Sequence, residues 1–372
     1  MVLNEADATF RDQVRSFLAG ALTDDLRVAG RRCSGIFADY PEGIRWHRIL
    51  AQRGWSVPQW PVEHGGTGWT PLQHYIFASE LAEAGAPPLA PMGTQMVGPV
   101  IIAYGSARQQ QDWLPGIRSG DDYWAQGYSE PQSGSDLASL RCKAVRDGDE
   151  YVINGTKIWT THAQYANRMF CLVRTAQMPK PQQGISFLCF DLQQPGIMVR
   201  PIISISGDHE LNQVFFDDVR VPAWGLIGEE NLGWNIAKFL LQHERGGAWA
   251  PSLRARLRRL RHAVQQAFAQ QPPGSRERSD IELKLADVEC RIDAVQALEM
   301  WALQAHARGE PPGIRPSIGK VLGTETRQRI TELGVEIAAH YAGARVPMEL
   351  CDAGGGGRWP FPRSRCSACR PI

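Results

Sequence analysis

GYSEPQSGSDLAS at residues 127–139 and NGTKIWTT at residues 154–161 are the two stretches that decide the fold of this chain. The first is rich in Ser, Gly, Pro and Asp, which are residues that form turns. The second is β-prone and ends in Trp159, Thr160 and Thr161. Considered singly, the first stretch indicates a polar surface turn, and the second indicates a strand with a Trp in the core. The surrounding sequence decides whether the two mean more together.

Short β-prone segments surround the two stretches, from residue 123 to residue 227. Turn clusters at residues 146–149 and 179–184 separate them. Regularly spaced short strands with intervening turns predict an antiparallel β-barrel or a sandwich. The segments with the clearest β pattern are residues 150–155, 169–174, 185–192, 197–202 and 213–222.

Helical periodicity marks both flanks of this β region. Phe10, Val14 and Leu18 recur near the N-terminus at the spacing of one helix face. Residues 54–69, with their Pro, Gly and Trp content, indicate an ordered loop. Further helices are expected at residues 44–53, 71–84, 93–104, 107–119, 234–244, 253–268, 280–307 and 320–341.

The whole pattern predicts an α+β multidomain protein. An N-terminal α-helical domain is expected at residues 1–122, a middle antiparallel β-barrel at residues 123–228, and an incomplete C-terminal α-helical bundle at residues 229–342. Residues 343–372 have no period and contain four consecutive glycines. A shifted reading frame and a genuine flexible tail both give such a composition, and both predict disorder.

The bulk composition narrows the classes of function. A formal net charge of +1 gives no global attraction for nucleic acid, and no apolar run approaches the ~20 residues that span a bilayer. The N-terminus has early acidic residues and no apolar signal core, and the eight cysteines are scattered, which indicates a cytoplasmic protein. Cys366 and Cys369 have no second ligand pair nearby, so no metal site is expected.

The two opening stretches together resemble the flavin-binding core of the acyl-CoA dehydrogenases. The family signature of Ser/Thr-Glu, a short spacer and Gly-Ser-Asp is matched by YSEPQSGSD at residues 128–136, and NGTKIWTT follows as it does in the family. The similarity extends from about residue 5 to residue 341. Supporting stretches are EHGGTG at residues 63–68, FDDVRVP at residues 216–222 and GEENLGW at residues 228–234.

The resemblance implies that FAD binds between the β-barrel and a C-terminal four-helix bundle. Backbone amides and hydroxyls of a glycine-containing turn suit the polar edge and phosphates of a flavin, and a Trp offers a flat face for its ring. By the same resemblance Ser135 also contacts the substrate, and Thr161 lies near flavin N5. The expected cofactor-binding residues are Gln126, Tyr128, Ser129, Gly134, Ser135, Trp159, Thr160 and Thr161. The carboxylates of Glu130 and Asp136 are expected to hold the turn.

The implied reaction removes a Cα proton and a Cβ hydride from an acyl-CoA thioester and gives a trans-2-enoyl-CoA. It needs a desolvated carboxylate as base and hydrogen bonds that polarise the thioester carbonyl. Many family members carry this base in a late Tyr-Glu-Gly-Thr loop, which this chain lacks. A subgroup carries it in a Glu-Arg pair on a bundle helix, which matches Glu244 as catalytic base and Arg245 as a substrate contact. His243 is the alternative candidate for the base. The other alternative is that Glu244 and Arg245 are only a solvated pair on the helix surface.

A dense basic run follows that pair. It comprises Arg254, Arg256, Arg258, Arg259 and Arg261, and leucines at i, i+4 and i+7 keep one helix face apolar. A solvated helix face and contact with the phosphates of CoA are the two explanations for the charges. The run has no interleaved aromatic residues, which argues against nucleic acid.

The resemblance also bears on partners. Residues 267–280 lack the Arg-x-x-Phe-Gly-type segment with which homotetrameric members touch a neighbour's FAD, so the chain is more similar to large subunits of heteromeric bacterial enzymes, including the pimeloyl-CoA dehydrogenase type. A homo-oligomer or a hetero-oligomer with a small subunit is expected, with electron-transfer flavoprotein as electron acceptor and a role in fatty acid β-oxidation. A catalytically silent or truncated structural subunit is the competing hypothesis, and an oxidase would share the same residues. The acyl group stays open.

Overall fold

The computed structural model describes residues 3–33, 37–205, 207–244, 248–269, 274–310 and 313–338. The irregular tail at residues 343–372, with Cys366 and Cys369, lies outside the described residues. The described elements follow the expected order of helices, strands and helices. This order confirms the fold class predicted from the sequence.

Six helices of the described chain precede the strands, and local signals set their boundaries. The Thr70 hydroxyl accepts from the Gln73 backbone N–H at 3.2 Å, and the Gln73 side chain accepts from the Thr70 N–H at 3.0 Å, which forms a capping box. Gly85, at φ 75°, ends the same helix in the left-handed conformation. The six helices are α1 (Glu5–Ala21), α2 (Asp24–Arg32), α3 (Tyr40–Arg53), α4 (Pro71–Ala84), α5 (Gly98–Tyr104) and α6 (Ala107–Ser119).

One predicted helix is interrupted. The sequence predicts a helix over residues 93–104, and the structure has a π-helical turn, Met92–Val97, in front of α5. In a π-helical turn the carbonyl of Thr94 would accept from residue 99, which is Pro99 and has no N–H. The indole N–H of Trp60 donates to that carbonyl instead, at 2.7 Å. A side chain from a distant loop therefore completes the turn.

In the described part of the chain, eight strands form one open, mixed sheet. They are β1 (Trp124–Gly127), β2 (Lys143–Asp147), β3 (Glu150–Thr161), β4 (Arg168–Arg174), β5 (Ile185–Asp191), β6 (Ile197–Ile203), β7 (His209–Pro222) and β8 (Leu226–Ile227). Their order is β6-β7-β3-β2-β4-β5-β8, and β1 pairs with β4 beside this path. Most neighbours are antiparallel, as expected, but β1 runs parallel to β4. Among the described residues β6 and β8 are edges that do not pair with each other, so the sheet is not closed into a barrel.

Up to residue 338, the described residues form four helices after the sheet: α7 (Gly233–Glu244), α8 (Trp249–Ala267), α9 (Arg276–Ala307) and α10 (Arg315–Ala338). The last three bury an apolar core that includes Leu253, Leu257, Val288, Ile292 and Leu333. None of the described helices is both long and apolar enough to cross a membrane.

The described residues divide into two compact units. The first contains the described parts of residues 1–46, 69–88 and 245–372, and the second contains residues 47–68 and the described parts of 89–244. The sheet, α5, α6 and α7 belong to the second unit, and α1, α2, α4 and α8 to α10 belong to the first. Both sequence stretches with the flavin signature therefore lie in the second unit, together with α7.

Candidate active site in the second unit

The first signature stretch forms a loop that interrupts one edge of β4. Gly127, the last residue of β1, pairs with Cys171, and Lys143, the first residue of β2, pairs with Arg174, both in parallel. The two strands thus run along the same side of β4, and residues 128–142 leave the sheet between them. We call this segment the SGSD loop.

Glu130 anchors the SGSD loop from inside. Its carboxylate is buried, with 4% of the residue exposed, and accepts from Lys157 Nζ at 2.8 Å, the Cys142 N–H at 2.9 Å and the Arg141 N–H at 2.7 Å. Lys157 is fully buried and also donates to the carbonyl of Tyr128 at 3.0 Å. Glu130 therefore holds the turn, as the sequence predicted, and is occupied by structural contacts.

The charge state of Glu130 follows from these contacts. Burial acts to raise the pKa of the carboxyl, but the charge of Lys157 and the hydrogen bonds from Lys157 and two backbone amides outweigh burial, so the pKa lies below its usual value. The pKa of Lys157 lies above its usual value, because its neighbours Cys171, Cys142 and Glu130 outweigh its own desolvation. The pair is ionised at neutral pH.

The tip of the SGSD loop is exposed. The backbones of Glu130 and Ser133 exchange two hydrogen bonds of 2.8 and 3.0 Å, and the Ser133 hydroxyl donates to the carbonyl of Asp136 at 2.8 Å. Gly134, Ser135 and Asp136 are exposed beyond this turn. Asp136 thus holds the turn through its backbone. A Cβ added at Gly134 would meet no atom within 4 Å, which leaves that side of the loop open to a ligand.

The second signature stretch ends β3 in a bulge. The pairing of β3 with β7 shifts register between Lys157 and Thr160, and Trp159 between them has φ 60°. This left-handed conformation is an outlier for a bulky residue, yet 57% of Trp159 is exposed. The next residue, Thr160, is buried, and its hydroxyl has no hydrogen-bond partner in the described part of the chain.

Asn212 on β7 fixes this bulge, a role that was not predicted from the sequence. It is fully buried, and its amide donates to the carbonyl of Thr160 at 3.1 Å and to the side chain of Gln164 at 2.5 Å. The Asn212 side-chain oxygen lies 2.7 Å from His209 Nε2. Little in the sequence signals this role, because Asn212 lies in the polar stretch HELNQ at residues 209–213, just before the strand predicted at residues 213–222. Only its complete burial shows that its hydrogen bonds matter.

The two signature stretches meet directly. Ile158 N–H donates to the carbonyl of Ser129 at 2.9 Å, next to the bond from Lys157 to Tyr128. Of the other expected residues, Gln126 is half-buried on β1, and Thr161 is half-buried at the end of β3. The structure thus brings Tyr128 and Ser129 beside the strand of Trp159 and Thr160.

The expected base lies at the end of α7. Gly233 starts this helix against β5, where an added Cβ would lie 2.5 Å from the Ser186 carbonyl carbon. On the same helix the His243 ring packs on Phe239, with centroids 4.6 Å apart, and its Nδ1 lies 3.1 Å from the Phe239 carbonyl. Glu244 is the last residue of α7; its side chain, and Arg245 altogether, lie outside the described residues.

Comparison with family models covers nearly the whole chain. The N-terminal domain model of acyl-CoA dehydrogenase matches residues 4–121, the middle domain model residues 125–219, and the C-terminal domain model residues 231–347.

Individual proteins give the same result. Acyl-CoA dehydrogenase IpdE1 of Mycobacterium tuberculosis is 35% identical over 338 residues, which are 88% of this chain and 85% of that protein. Acyl-CoA dehydrogenase FadE26 of the same organism is 35% identical over 341 residues, with 88% and 83% covered. Among solved structures, the Tcur3481-Tcur3483 steroid ACAD has a TM-score of 0.81 at 28% identity over 98% of this chain and 90% of that one. The ChsE4-ChsE5 complex from Mycobacterium tuberculosis has a TM-score of 0.77 at 31% identity, over 99% and 91%. The chain therefore belongs to the acyl-CoA dehydrogenase family, whose members are oxidoreductases that act on acyl-CoA thioesters.

Proposed function

We propose that this chain is a FAD-dependent dehydrogenase that converts an acyl-CoA to a trans-2-enoyl-CoA, with Glu244 as the base for the Cα proton. The observation that carries the proposal is the end of β3. There an exposed, strained Trp159 precedes a buried Thr160 hydroxyl without a partner in the described residues, beside the open SGSD loop.

The residues present suit FAD. Trp159 offers an exposed aromatic face, the Thr160 hydroxyl has no hydrogen-bond partner among the residues that the structure describes, and the space beside Gly134 lets a ligand approach the backbone. When bound, FAD supplies the acceptor for the hydride that leaves Cβ. The residues that would hold it are Gln126, Tyr128, Ser129, Gly134, Ser135, Trp159, Thr160 and Thr161.

The chain's own residues then have separate tasks. Ser135, at the exposed tip of the SGSD loop, contacts the substrate, and Arg245 contacts it beyond α7. Glu244 takes the proton from Cα. His243 is the alternative base, because donation of Nδ1–H to the Phe239 carbonyl of its own helix leaves the lone pair on Nε2.

Substitution of the base tests this assignment. Glu244→Gln keeps the size of the side chain and removes the proton acceptor, so the purified variant should retain bound FAD while the substrate no longer bleaches its visible absorbance. His243→Gln is the matched control on the same helix and should bleach. Normal bleaching by Glu244→Gln, or its loss in His243→Gln alone, refutes the assignment.

A catalytically silent structural subunit is the second candidate. The sequence favours it at one point, because residues 343–372 depart from the family pattern and no Tyr-Glu-Gly-Thr loop is present. Protein that stays colourless after incubation with FAD would identify the silent subunit, and a yellow protein that acyl-CoA bleaches would exclude it.

The assembly and setting are part of the proposal. The ChsE4-ChsE5 complex and the Tcur3481-Tcur3483 enzyme are by their names built from two different proteins, which supports a hetero-oligomer with a small subunit over a homo-oligomer. Electron-transfer flavoprotein is the proposed acceptor, and fatty acid β-oxidation in the cytoplasm is the proposed setting. Release of peroxide during turnover would instead indicate an oxidase.

A further inference from the structure

The basic run on α8 divides into paired and unpaired arginines. Arg254 bonds Asp293 at 2.6 Å, Arg261 bonds Glu289 at 2.5 Å, and Arg258 forms an ion pair with Glu83 of α4. These three form the solvated helix face that the sequence predicted as one explanation. The remaining two, Arg256 and Arg259, are half-buried and form no hydrogen bond or ion pair with the described part of the chain.

A third arginine joins them from α2. Arg256 and Arg259 are three positions apart and so share one face of α8. Arg31 lies in the last turn of α2, where the helix passes close to the end of α4: a Cβ at Gly30 would lie 2.1 Å from the carbonyl oxygen of Gly85. Arg31 likewise has no bond to the described residues.

The path of α2 is fixed by its own contacts. Arg27 donates to the carbonyl of Ala84 at 3.0 Å, and Arg258 bonds Glu83 one residue before it. Both α2 and α8 are therefore tied to the C-terminal turn of α4. Glu83, the acidic residue of that turn, is paired with Arg258. It is therefore not available to Arg31, Arg256 and Arg259.

The three groups are close enough to affect each other. Desolvation, with the neighbouring charges of Arg256, Arg258 and Arg31 adding to it, lowers the pKa of Arg259 to about 10. Desolvation also lowers the pKa of Arg256. Arg256 and Arg259 remain charged at neutral pH, and half-buried like charges without a carboxylate partner among the described residues are unfavourable.

We propose that Arg31, Arg256 and Arg259 of the first unit form a binding site for a phosphate-type dianion. Planar guanidinium groups bind phosphate oxygens in bidentate pairs. A single carboxylate neutralises one of three guanidinium charges, whereas a phosphate with about −1.5 to −2 charges and three acceptor oxygens satisfies more of them. Arg31 is exposed, so the ligand reaches the site from solvent.

Inorganic phosphate is the probe. Calorimetric titration at constant ionic strength, balanced with chloride, should show saturable binding to the full chain, and Arg256→Gln/Arg259→Gln should weaken it at least about tenfold. Arg254→Gln/Arg261→Gln is the matched control, because it removes the same charge from the same helix and should leave phosphate binding unchanged. No saturable binding to the unmodified chain, or equal loss in both double variants, overturns the proposal.

Thermal unfolding without phosphate separates a ligand site from a structural one. Arg256→Gln/Arg259→Gln should melt at or above the temperature of the unmodified chain, since it relieves repulsion, and phosphate should raise the melting temperature of the unmodified chain only. A lower melting temperature of this variant, with an unchanged response to phosphate, overturns the proposal.

The phosphate has two sources, free phosphate or the 3′-phosphate of CoA. CoA and dephospho-CoA distinguish them. A preference for CoA that disappears in Arg256→Gln/Arg259→Gln assigns the site to the thioester's nucleotide, and equal binding of both by the unmodified chain assigns it to free phosphate.

Discussion

Methionine in place of Lys157 would remove the cation that neutralises Glu130 at the base of the SGSD loop. Lys157 is fully buried and bonds both the Glu130 carboxylate, at 2.8 Å, and the Tyr128 carbonyl, at 3.0 Å. Methionine has a similar length and no donor. The variant therefore leaves a buried carboxylate with only uncharged donors, which are two backbone amides and the side-chain amide of Gln132, and it leaves the Tyr128 carbonyl without the Lys157 donor.

The cost follows from burial. Breaking a buried ion pair by removing one partner costs about 3–5 kcal/mol, a large part of the 5–15 kcal/mol by which proteins are stable. Arg220→Met is the matched control, because Arg220 bonds Glu150 and Asp147 on the surface of the same sheet and exposed pairs contribute about 0–1 kcal/mol. Glu130→Gln/Lys157→Met removes both charges and should recover much of the loss.

In Lys157→Met, the contribution of Glu130 to the pH dependence of stability should change sign. In the unmodified chain the lowered pKa of Glu130 gives stability that is present above its unfolded pKa and is lost as pH falls through the folded value. Without Lys157, burial is the largest remaining influence and raises the pKa of that carboxyl. The variant should then be destabilised most at neutral pH and regain part of its deficit as pH falls.

Urea unfolding at several pH values measures both effects. Lys157→Met should shift the midpoint far more than Arg220→Met, with the difference shrinking toward about pH 5. The reasoning is refuted if the two variants lose equal stability at neutral pH. It is refuted as well if the Lys157→Met deficit grows on acidification.

Two further predictions concern the end of β3. Thr160→Val should weaken FAD binding to the apoprotein about fivefold, from the loss of one hydrogen bond, while slightly raising the melting temperature. Thr156→Val on the same strand is the control. Unchanged FAD affinity of Thr160→Val in a fluorescence titration would contradict the assignment. Asn212→Leu should lower the free energy of unfolding in urea by about 1–3 kcal/mol, because the Thr160 carbonyl loses its buried donor. Asn154→Leu, which breaks two exposed bonds with Asp218, should cost less, and equal losses would show that burial at position 212 does not matter.

Elements with strong local signals were predictable from the sequence. α4 was expected at residues 71–84 and is observed at Pro71–Ala84, because its capping box and terminal glycine are coded by neighbouring residues. α2 was missed: it is nine residues long, strongly polar and contains Gly30, so it has little helical signal of its own. Its position depends on contact with the end of α4.

The short strands β1 and β2 show the same limit. β1 has four residues, and part of β2 was assigned to a turn cluster at residues 146–149. β1 owes its strand conformation to parallel pairing with β4, which follows it in the chain, and such pairing leaves no periodic pattern in four residues. β2 pairs antiparallel with β3 over five residues and meets β4 only at Lys143, so its strand extends into the residues of the expected turn. The open sheet, in place of the expected barrel, is likewise a property of long-range pairing.

The residues of the candidate site were predictable from the sequence motif, but the buried contacts that hold them in place were not. The motif led to the proposed flavin-binding residues, but the Glu130–Lys157 pair joins positions 27 residues apart, and Asn212 lies 52 residues from the Thr160 carbonyl that it holds. Such pairs are selected by three-dimensional packing, and a single sequence does not reveal them. The structure reveals these pairs, because it shows which polar groups are buried and therefore need a hydrogen-bond partner.

Trp159 connects this support to function. A left-handed backbone costs a bulky L-residue about 1–2 kcal/mol, and with 57% of the side chain exposed, packing within the described chain offsets little of it. Selection for stability alone would favour Gly or Asn at such a position. The bulge in β3 and the Asn212 anchor hold the conformation in spite of its cost. Backbone strain and unpaired polar groups are typical of ligand sites, where local stability is given up for binding. Here a strained, exposed aromatic ring lies next to a buried hydroxyl that the described residues leave unpaired. That conjunction supports the flavin position independently of the motif.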